Sequence, residues 1–314
     1  MQIANARYKK FLLYAPLARQ YTEDDFFHVA CSRIGAGSEA VSATSEPRYE
    51  HLLFAGNGMS ALACVEALLR TGRPFDITII GDEPHGNYDR ALLASVLAGE
   101  RDIESITLND IEWYQENGIR TRLGIRVEEI NRPHRGVRTS DGDWINYDKL
   151  ILATGARPPV PDMDLFEETR VFVFSTFDDA RRLAEAARPD VRTLVIGGSL
   201  ATEVACALRK LGCDAVAATE NSAVHELADA HTVVIATDPQ PNVTLAKAAG
   251  LRVNRGIVVN DCMATSDPHI FAVGACAECI APLAEQAELL ASAVSRIAAP
   301  PARREDDHSR SQPA

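Results

Sequence analysis

One stretch of this 314-residue chain, His51 to Arg90, restricts the fold more than any other. Leu52, Leu53 and Phe54 make an apolar run suited to a buried strand. Gly56-Asn57-Gly58-Met59-Ser60-Ala61 follows, a turn of the G-x-G-x-x-G/A type, and Leu62, Val65 and Leu69 then repeat at helical spacing. Ile77 to Ile80 reads as a second strand, closed by Asp82 and Glu83. Strand, glycine turn, helix, strand and acid is the order of a dinucleotide-binding βαβ unit. Gly56 permits the tight turn, Gly58 lets backbone approach a diphosphate, and the small Ala61 lets helix and strand pack closely. The helix start offers unpaired N–H groups and a positive dipole end. An acid after the second strand accepts hydrogen bonds from ribose hydroxyls. In the loop beyond, Tyr88 and Arg90 are residue types suited to a flat ring and a phosphate.

A second unit opens near Thr176. Phe177 to Ala187 reads as a helix, Leu194 to Ile196 as a strand, and Gly197-Gly198-Ser199 as another glycine turn. Val204, Leu208 and Leu211 share the next helix face, and strands are expected at Ala215 to Thr219 and His231 to Ala236. Between the two units, Thr121 to Ile145 alternates in short runs around an Asp141-Gly142 hairpin turn, which predicts a small antiparallel layer. Lys149 to Ala153 reads as a strand entering Thr154-Gly155, and Pro158, Pro159 and Pro161 end regular structure at a crossing between domains. Ile270 to Val273 leads to Gly274, and Ala281 to Ile297 closes the fold as a helix.

The net charge of −12 argues against binding nucleic acid or an anionic membrane non-specifically. No apolar run approaches the ~20 residues of a membrane span. The seven scattered cysteines, an odd number, favour a reducing and cytoplasmic setting. Lys9 and Lys10 before Phe11 to Tyr14 faintly imitate an export signal, which Pro16 and Arg19 interrupt. Cys276-Ala277-Glu278-Cys279 could form a redox dithiol, although packing is the preferred reading. His225, His231 and Cys262 lack neighbours at ligand spacing, and no metal site is expected.

From about Tyr49 to Ser295 the chain resembles the FAD-dependent pyridine nucleotide reductases, in particular the flavoprotein part of NAD(P)H-dependent assimilatory nitrite reductases. The matching words include Gly56-Asn57-Gly58-Met59, Glu83-Pro84-His85 with Asn87-Tyr88 and Arg90, Leu97-Ala98-Gly99-Glu100, and Ala153-Thr154-Gly155. Val253 to Val259, Ala272-Val273-Gly274 and Glu285-Gln286-Ala287 continue the series. The resemblance implies an α/β chain: a Rossmann-like FAD-binding domain, with a parallel sheet and a small antiparallel layer, carrying an inserted, shortened second Rossmann-like domain. The corresponding boundaries are an extension at 1–48, FAD-binding segments at 49–160 and 241–298, a nicotinamide-type domain at 161–240, and a disordered tail at 299–314.

By the same resemblance, Gly56, Gly58 and Ser60 surround the FAD diphosphate, with Met59 and Asn87 beside them. Asp82 or Glu83 holds the adenosine ribose, Arg90 counters phosphate charge, and Val127 meets adenine. Ala153, Thr154, Gly155 and Arg157 line the flavin site, and Gly274 and Ala275 follow the ribityl chain and diphosphate. Gly197, Gly198 and Glu203 are the candidates for NAD(P)H. The implied function is hydride transfer from NAD(P)H to FAD and onward to a partner redox protein. The alternative is a degenerate FAD-binding subunit that transfers electrons or acts as a scaffold without using NAD(P)H.

Departures from the family pattern bear on that choice. Ser199 and Thr202 stand where the second turn is expected to carry glycines, Asp238 stands where the family has Gly, and Gln240 where Arg is usual. Ala275 replaces an acid that accepts from ribityl hydroxyls. About 50 residues are missing from a nicotinamide domain of ordinary ~100–150 residue size. No interface domain and no four-cysteine Fe–S or sirohaem segment is expected within these residues.

Overall fold

The computed structural model describes residues 49–159, 170–189, 191–219, 222 and 230–296, all within the unit Tyr49–Ala314. Expectations for 1–48, for Pro161, for His225 and for the tail lie outside the described residues.

The first apolar run is strand β1 (His51–Ala55), with Leu52, Leu53 and Phe54 fully buried. Helix α1 (Met59–Arg70) follows the glycine turn, and β2 (Asp76–Gly81) lies parallel to β1. β3 (Asn87–Tyr88) and β4 (Thr107–Asn109) form a two-stranded ladder beside this unit. Between them lies α2 (Leu93–Leu97), and beyond them α3 (Ile111–Glu116), whose N-cap Asp110 accepts from the Trp113 N–H. β5 (Arg120–Leu123) joins the outer edge of β2. β6 (Val127–Asn131), β7 (Gly136–Thr139) and β8 (Trp144–Asn146) make the expected antiparallel layer. Its hairpin turns at Gly142, which has a φ of +93°.

The chain then returns to the main sheet as β9 (Lys149–Leu152), on the other side of β1. Two short strands, β10 (Ala156–Arg157) and β15 (Gln240–Pro241), pair antiparallel and form a neck. The described residues between them build a second, all-parallel sheet. It consists of β11 (Arg170–Val173), β12 (Arg192–Gly197), β13 (Asp214–Ala218) and β14 (Thr232–Ala236), in the order β11-β14-β12-β13. Helix α4 (Phe177–Ala186) enters this unit through a capping box of Thr176 and Asp179, and α5 (Ser199–Lys210) follows β12. After the neck come α6 (Thr244–Ala248), the paired strands β16 (Ile257–Val258) and β18 (Ala277–Glu278), and β17 (Ile270–Ala272). β17 completes the main sheet in the order β17-β9-β1-β2-β5. The closing helix α7 (Leu283–Arg296) packs along α1, burying Leu290 and Val294 beside a core that includes Leu68. Each fully buried side chain of this size is worth about 1.5–3 kcal/mol relative to exposure.

The architecture is therefore α/β with one parallel unit inserted into another. The second glycine turn differs from its sequence reading. α1 and α5 both have 12 residues and both start after a glycine N-cap, Gly58 and Gly198. Ala61, Val65 and Leu68 are buried on one helix, and Ala201, Ala205 and Leu208 on the other, at matching positions. Ala201, fully buried, thus fills the close-packing place of Ala61, while Thr202 is exposed to solvent. The β-branched group does not intrude between helix and strand. Gly56 and Gly197 also correspond: a Cβ on either would lie 2.1 Å from a carbonyl oxygen, of Ala153 or of Ala236. The second turn consequently runs from Gly197 straight to the N-cap and lacks a counterpart of Asn57.

Candidate functional site

A cavity of about 870 Å³ opens at the C-terminal ends of β1, β2 and β9. This is where open α/β sheets bind ligands, and the volume lies in the range of about 300–1,000 Å³ typical of cofactor sites. Gly56, Gly58, Met59, Ser60, Asp82, Glu83, Asn87 and Arg90 line it from the first βαβ unit. Val127, Ala153, Thr154, Gly155, Arg157 and Ala275 line it from later segments. Gly274 lies behind the wall, at a φ of +73°; a Cβ there would fall 1.9 Å from Ser60 Oγ. Gly274 thus sets how deeply Ser60 can sit.

The glycine turn is built to bring backbone to a ligand. Gly56 has a φ of +120° and accepts no side chain, because Ala153 O already occupies the space. Gly58 meets nothing within 4 Å of a hypothetical Cβ, so its main chain faces open space at the start of α1. The following helix has no side-chain cap, leaving its first N–H groups for a ligand.

Asn57 ties this turn to the opposite wall. Its Oδ1 accepts from the Tyr114 hydroxyl at 2.8 Å, its Nδ2 donates to His85 O at 3.3 Å, and its carbonyl accepts from Asn87 Nδ2 at 3.1 Å. Two atoms of the wall are buried without a protein partner, Asn87 Oδ1 and His85 Nε2. The His85 ring meets Phe177 edge-on at 5.0 Å.

The acids are arranged as ion pairs. Arg90 Nη2 lies 2.5 Å from Glu83 Oε1, and the Tyr88 hydroxyl donates to the other Glu83 oxygen. Arg90 also donates to Ser175 O at 3.2 Å, and the Phe177 N–H donates to the Tyr88 oxygen at 3.0 Å. Burial pushes the Tyr88 hydroxyl pKa far up, so it stays a neutral donor. Arg157 pairs with Asp82. Both acids after β2 are therefore already neutralised by cations within the cleft. Arg90 and Arg157 remain 39% and 51% exposed, open to a second anionic partner.

The Thr154–Gly155 end of the cavity is framed by backbone. Thr154 Oγ1 donates to Asn242 O at 2.8 Å, and the Asn242 N–H returns to Gly155 O at 2.9 Å. The Gly274 N–H donates to Gln286 Oε1 at 2.8 Å, and Gln286 Nε2 donates to Ala281 O at 2.8 Å. Cys276 is buried, donates to Leu152 O and Val273 O, and has its thiol pKa raised by burial. A thiol so buried and bonded packs into the core, in keeping with the packing reading of Cys276.

Leu245 and Ala248 of α6, with Ile125, complete the apolar lining. Sequence reasoning did not find these residues. They arrive from segments remote from the glycine turn, and no motif marks them. Gly197, Gly198 and Glu203 lie at the start of α5 in the second unit and do not line this cavity. Among the described residues, no group of three or more His, Cys, Asp and Glu side chains is placed to hold a metal.

Two parallel sheets, one inserted in the other and each opened by a glycine turn, define a Rossmann-like α/β protein with a dinucleotide-sized cleft. The chain belongs to the pyridine nucleotide-disulphide oxidoreductase family, whose model matches residues 51–227 and 217–295. It is 36% identical to the assimilatory nitrate reductase electron transfer subunit of Bacillus subtilis (strain 168), over 79% of this chain and 39% of that protein. It is 35% identical to the nitrite reductase [NAD(P)H] of the same organism, over 80% of this chain and 38% of that protein. Among solved structures, it is similar to the putidaredoxin reductase–putidaredoxin complex, with a TM-score of 0.67 and 26% identity over 78% of this chain and 75% of that chain. The chain spans about two fifths of the length of these two curated relatives. The first match runs over 306 residues, more than 79% of 314 residues can supply, so this chain is the shorter of the two within the match.

Proposed function

We propose that the cavity holds FAD and that the chain is an oxidoreductase passing electrons from NAD(P)H to a partner redox protein. The observation that carries this reading is the cavity at the glycine turn, where the open main chain at Gly58 and the side chains of Arg90 and Arg157 converge. The residues fit the group. Gly56 and Gly58 leave room for a diphosphate at the start of α1, and Arg90 and Arg157 supply positive charge. Asp82 and Glu83 sit where adenosine ribose hydroxyls would reach them. Val127, Leu245 and Ala248 offer an apolar bed for adenine. Thr154, Gly155 and Ala275 would follow the ribityl chain and ring, Ala275 without the carboxylate that the resemblance leads one to expect.

Bound FAD supplies an acceptor for two electrons that can also release them one at a time. The chain's own contribution would be to bind and orient the group, through backbone at Gly56 and Gly58, charge at Arg90 and Arg157, and the apolar lining of Val127, Leu245 and Ala248. The relatives' names support a partner in nitrate or nitrite reduction, and the scattered cysteines support a cytoplasmic setting. FAD-binding segments at 49–160 and 241–298 around a nicotinamide-type domain at 161–240 accord with the two sheets. Anaerobic mixing of the FAD-loaded protein with about 1 mM NADH or NADPH, near the top of ordinary KM values, tests the reading. Loss of the flavin band near roughly 450 nm is expected, followed by its return on adding a one-electron acceptor. An unbleached flavin contradicts it.

A further inference from the structure

The molecule contains its own control for what a glycine turn needs. In the first unit, β1 and β9 lie side by side, and the residue after Ala153-Thr154 is Gly155, which faces the cleft. In the second unit, β12 and β14 lie side by side in the same way, Ala236-Thr237 follows, and the next residue is Asp238. The correspondence is anchored by Gly56 against Ala153 O and Gly197 against Ala236 O, at the same 2.1 Å. Asp238 is exposed, and its Oδ1 lies 3.9 Å from a Cβ placed on Gly198, the N-cap of α5. A carboxylate therefore stands at the mouth of the second turn, where the first unit has a bare hydrogen atom. That turn is also one residue shorter than the first, so it presents less backbone to a ligand.

We propose that Asp238 limits ligand affinity in the second unit: its carboxylate stands in the approach of a dinucleotide diphosphate and keeps pyridine-dinucleotide affinity low. Like charges at close range repel, and the positive end of α5 is already faced by an anion. Electron input then rises with the NAD(P)H supply over a wide range instead of saturating early. This deepens the functional reading above, on which it rests for the identity of the dinucleotide.

The test is calorimetric titration of the protein, kept in excess FAD, with NAD+ and with ADP-ribose. Asp238→Gly restores the residue found in the first unit, and Asp238→Asn removes the charge while keeping the size. Both variants are expected to bind roughly tenfold or more tightly than the parent, with the FAD content of all three unchanged. Equal affinity in all three proteins, whether tight, weak or unmeasurable, overturns the proposal. The outcome is separable from the FAD reading, because bound flavin is read from its own absorbance before any titrant is added.

Discussion

A methyl group on Gly56 has nowhere to go. It would meet Ala153 O at 2.1 Å, on a backbone at φ +120° that side chains avoid. Gly56→Ala is expected to destabilise the fold by roughly 2 kcal/mol or more and to abolish flavin retention, read by a thermal melt and by absorbance. Asp267 illustrates charge at the same scale. Burial works to raise its pKa, but Arg132 at 2.8 Å and the His269 N–H at 2.9 Å outweigh it, and the net shift is downward. A depressed carboxylate stabilises the fold above its unfolded pKa of about 3.9, and that contribution disappears as the pH falls through the folded value. Asp267→Asn should therefore cost roughly 1–2 kcal/mol at pH 7, and the gap between mutant and parent should narrow in pH-dependent melts as the pH falls below the unfolded value of about 3.9. Single residues were the least legible part of the sequence. The family pattern placed Ser199 and Thr202 in the glycine positions, because a one-residue deletion within the turn leaves no mark until the helix start is seen at Gly198.

Elements were far more legible, since buried strands and capped helices carry their signals locally. Leu52 to Phe54, the helical pattern of Phe177 to Ala187 and the Asp141-Gly142 turn each announce an element that the structure contains. What the sequence does not carry is how elements meet. Helix α7 is the instructive case: its Gln286 is buried and bonds the Gly274 amide, so a helix at the end of the described chain fixes the turn beside Ser60. Gln286→Leu keeps the volume but orphans the Gly274 N–H and the Ala281 carbonyl. We expect a loss of about 1–3 kcal/mol and a clear rise in the FAD dissociation constant. Gln286→Glu retains an acceptor for Gly274 and should recover much of the binding. Likewise Thr176→Ala removes the cap of α4 and should cost about 1 kcal/mol by chemical denaturation, while leaving the cavity walls from β1 and β2 in place.

At the scale of the whole molecule, a neck of two short strands joins a complete parallel sheet to a smaller one. The insertion was legible because the glycine turn recurs and because Ala153-Thr154-Gly155 precedes a proline-rich crossing. The cavity's apolar bed was not, because α6 reaches it only after the chain has built the second sheet and returned. If the cavity holds FAD, ligand and fold stabilise one another. At one hundred times the dissociation constant a ligand adds about 2.7 kcal/mol, which for a unit of this size raises Tm by about 5–10 °C. Melts of flavin-loaded and flavin-stripped protein should differ by that amount. The most direct check on the account is the cofactor itself: purify the protein, denature it by heat, and identify and count what the supernatant contains. The account predicts FAD, approaching one per chain after incubation with excess; a colourless protein that excess FAD fails to reconstitute would contradict it.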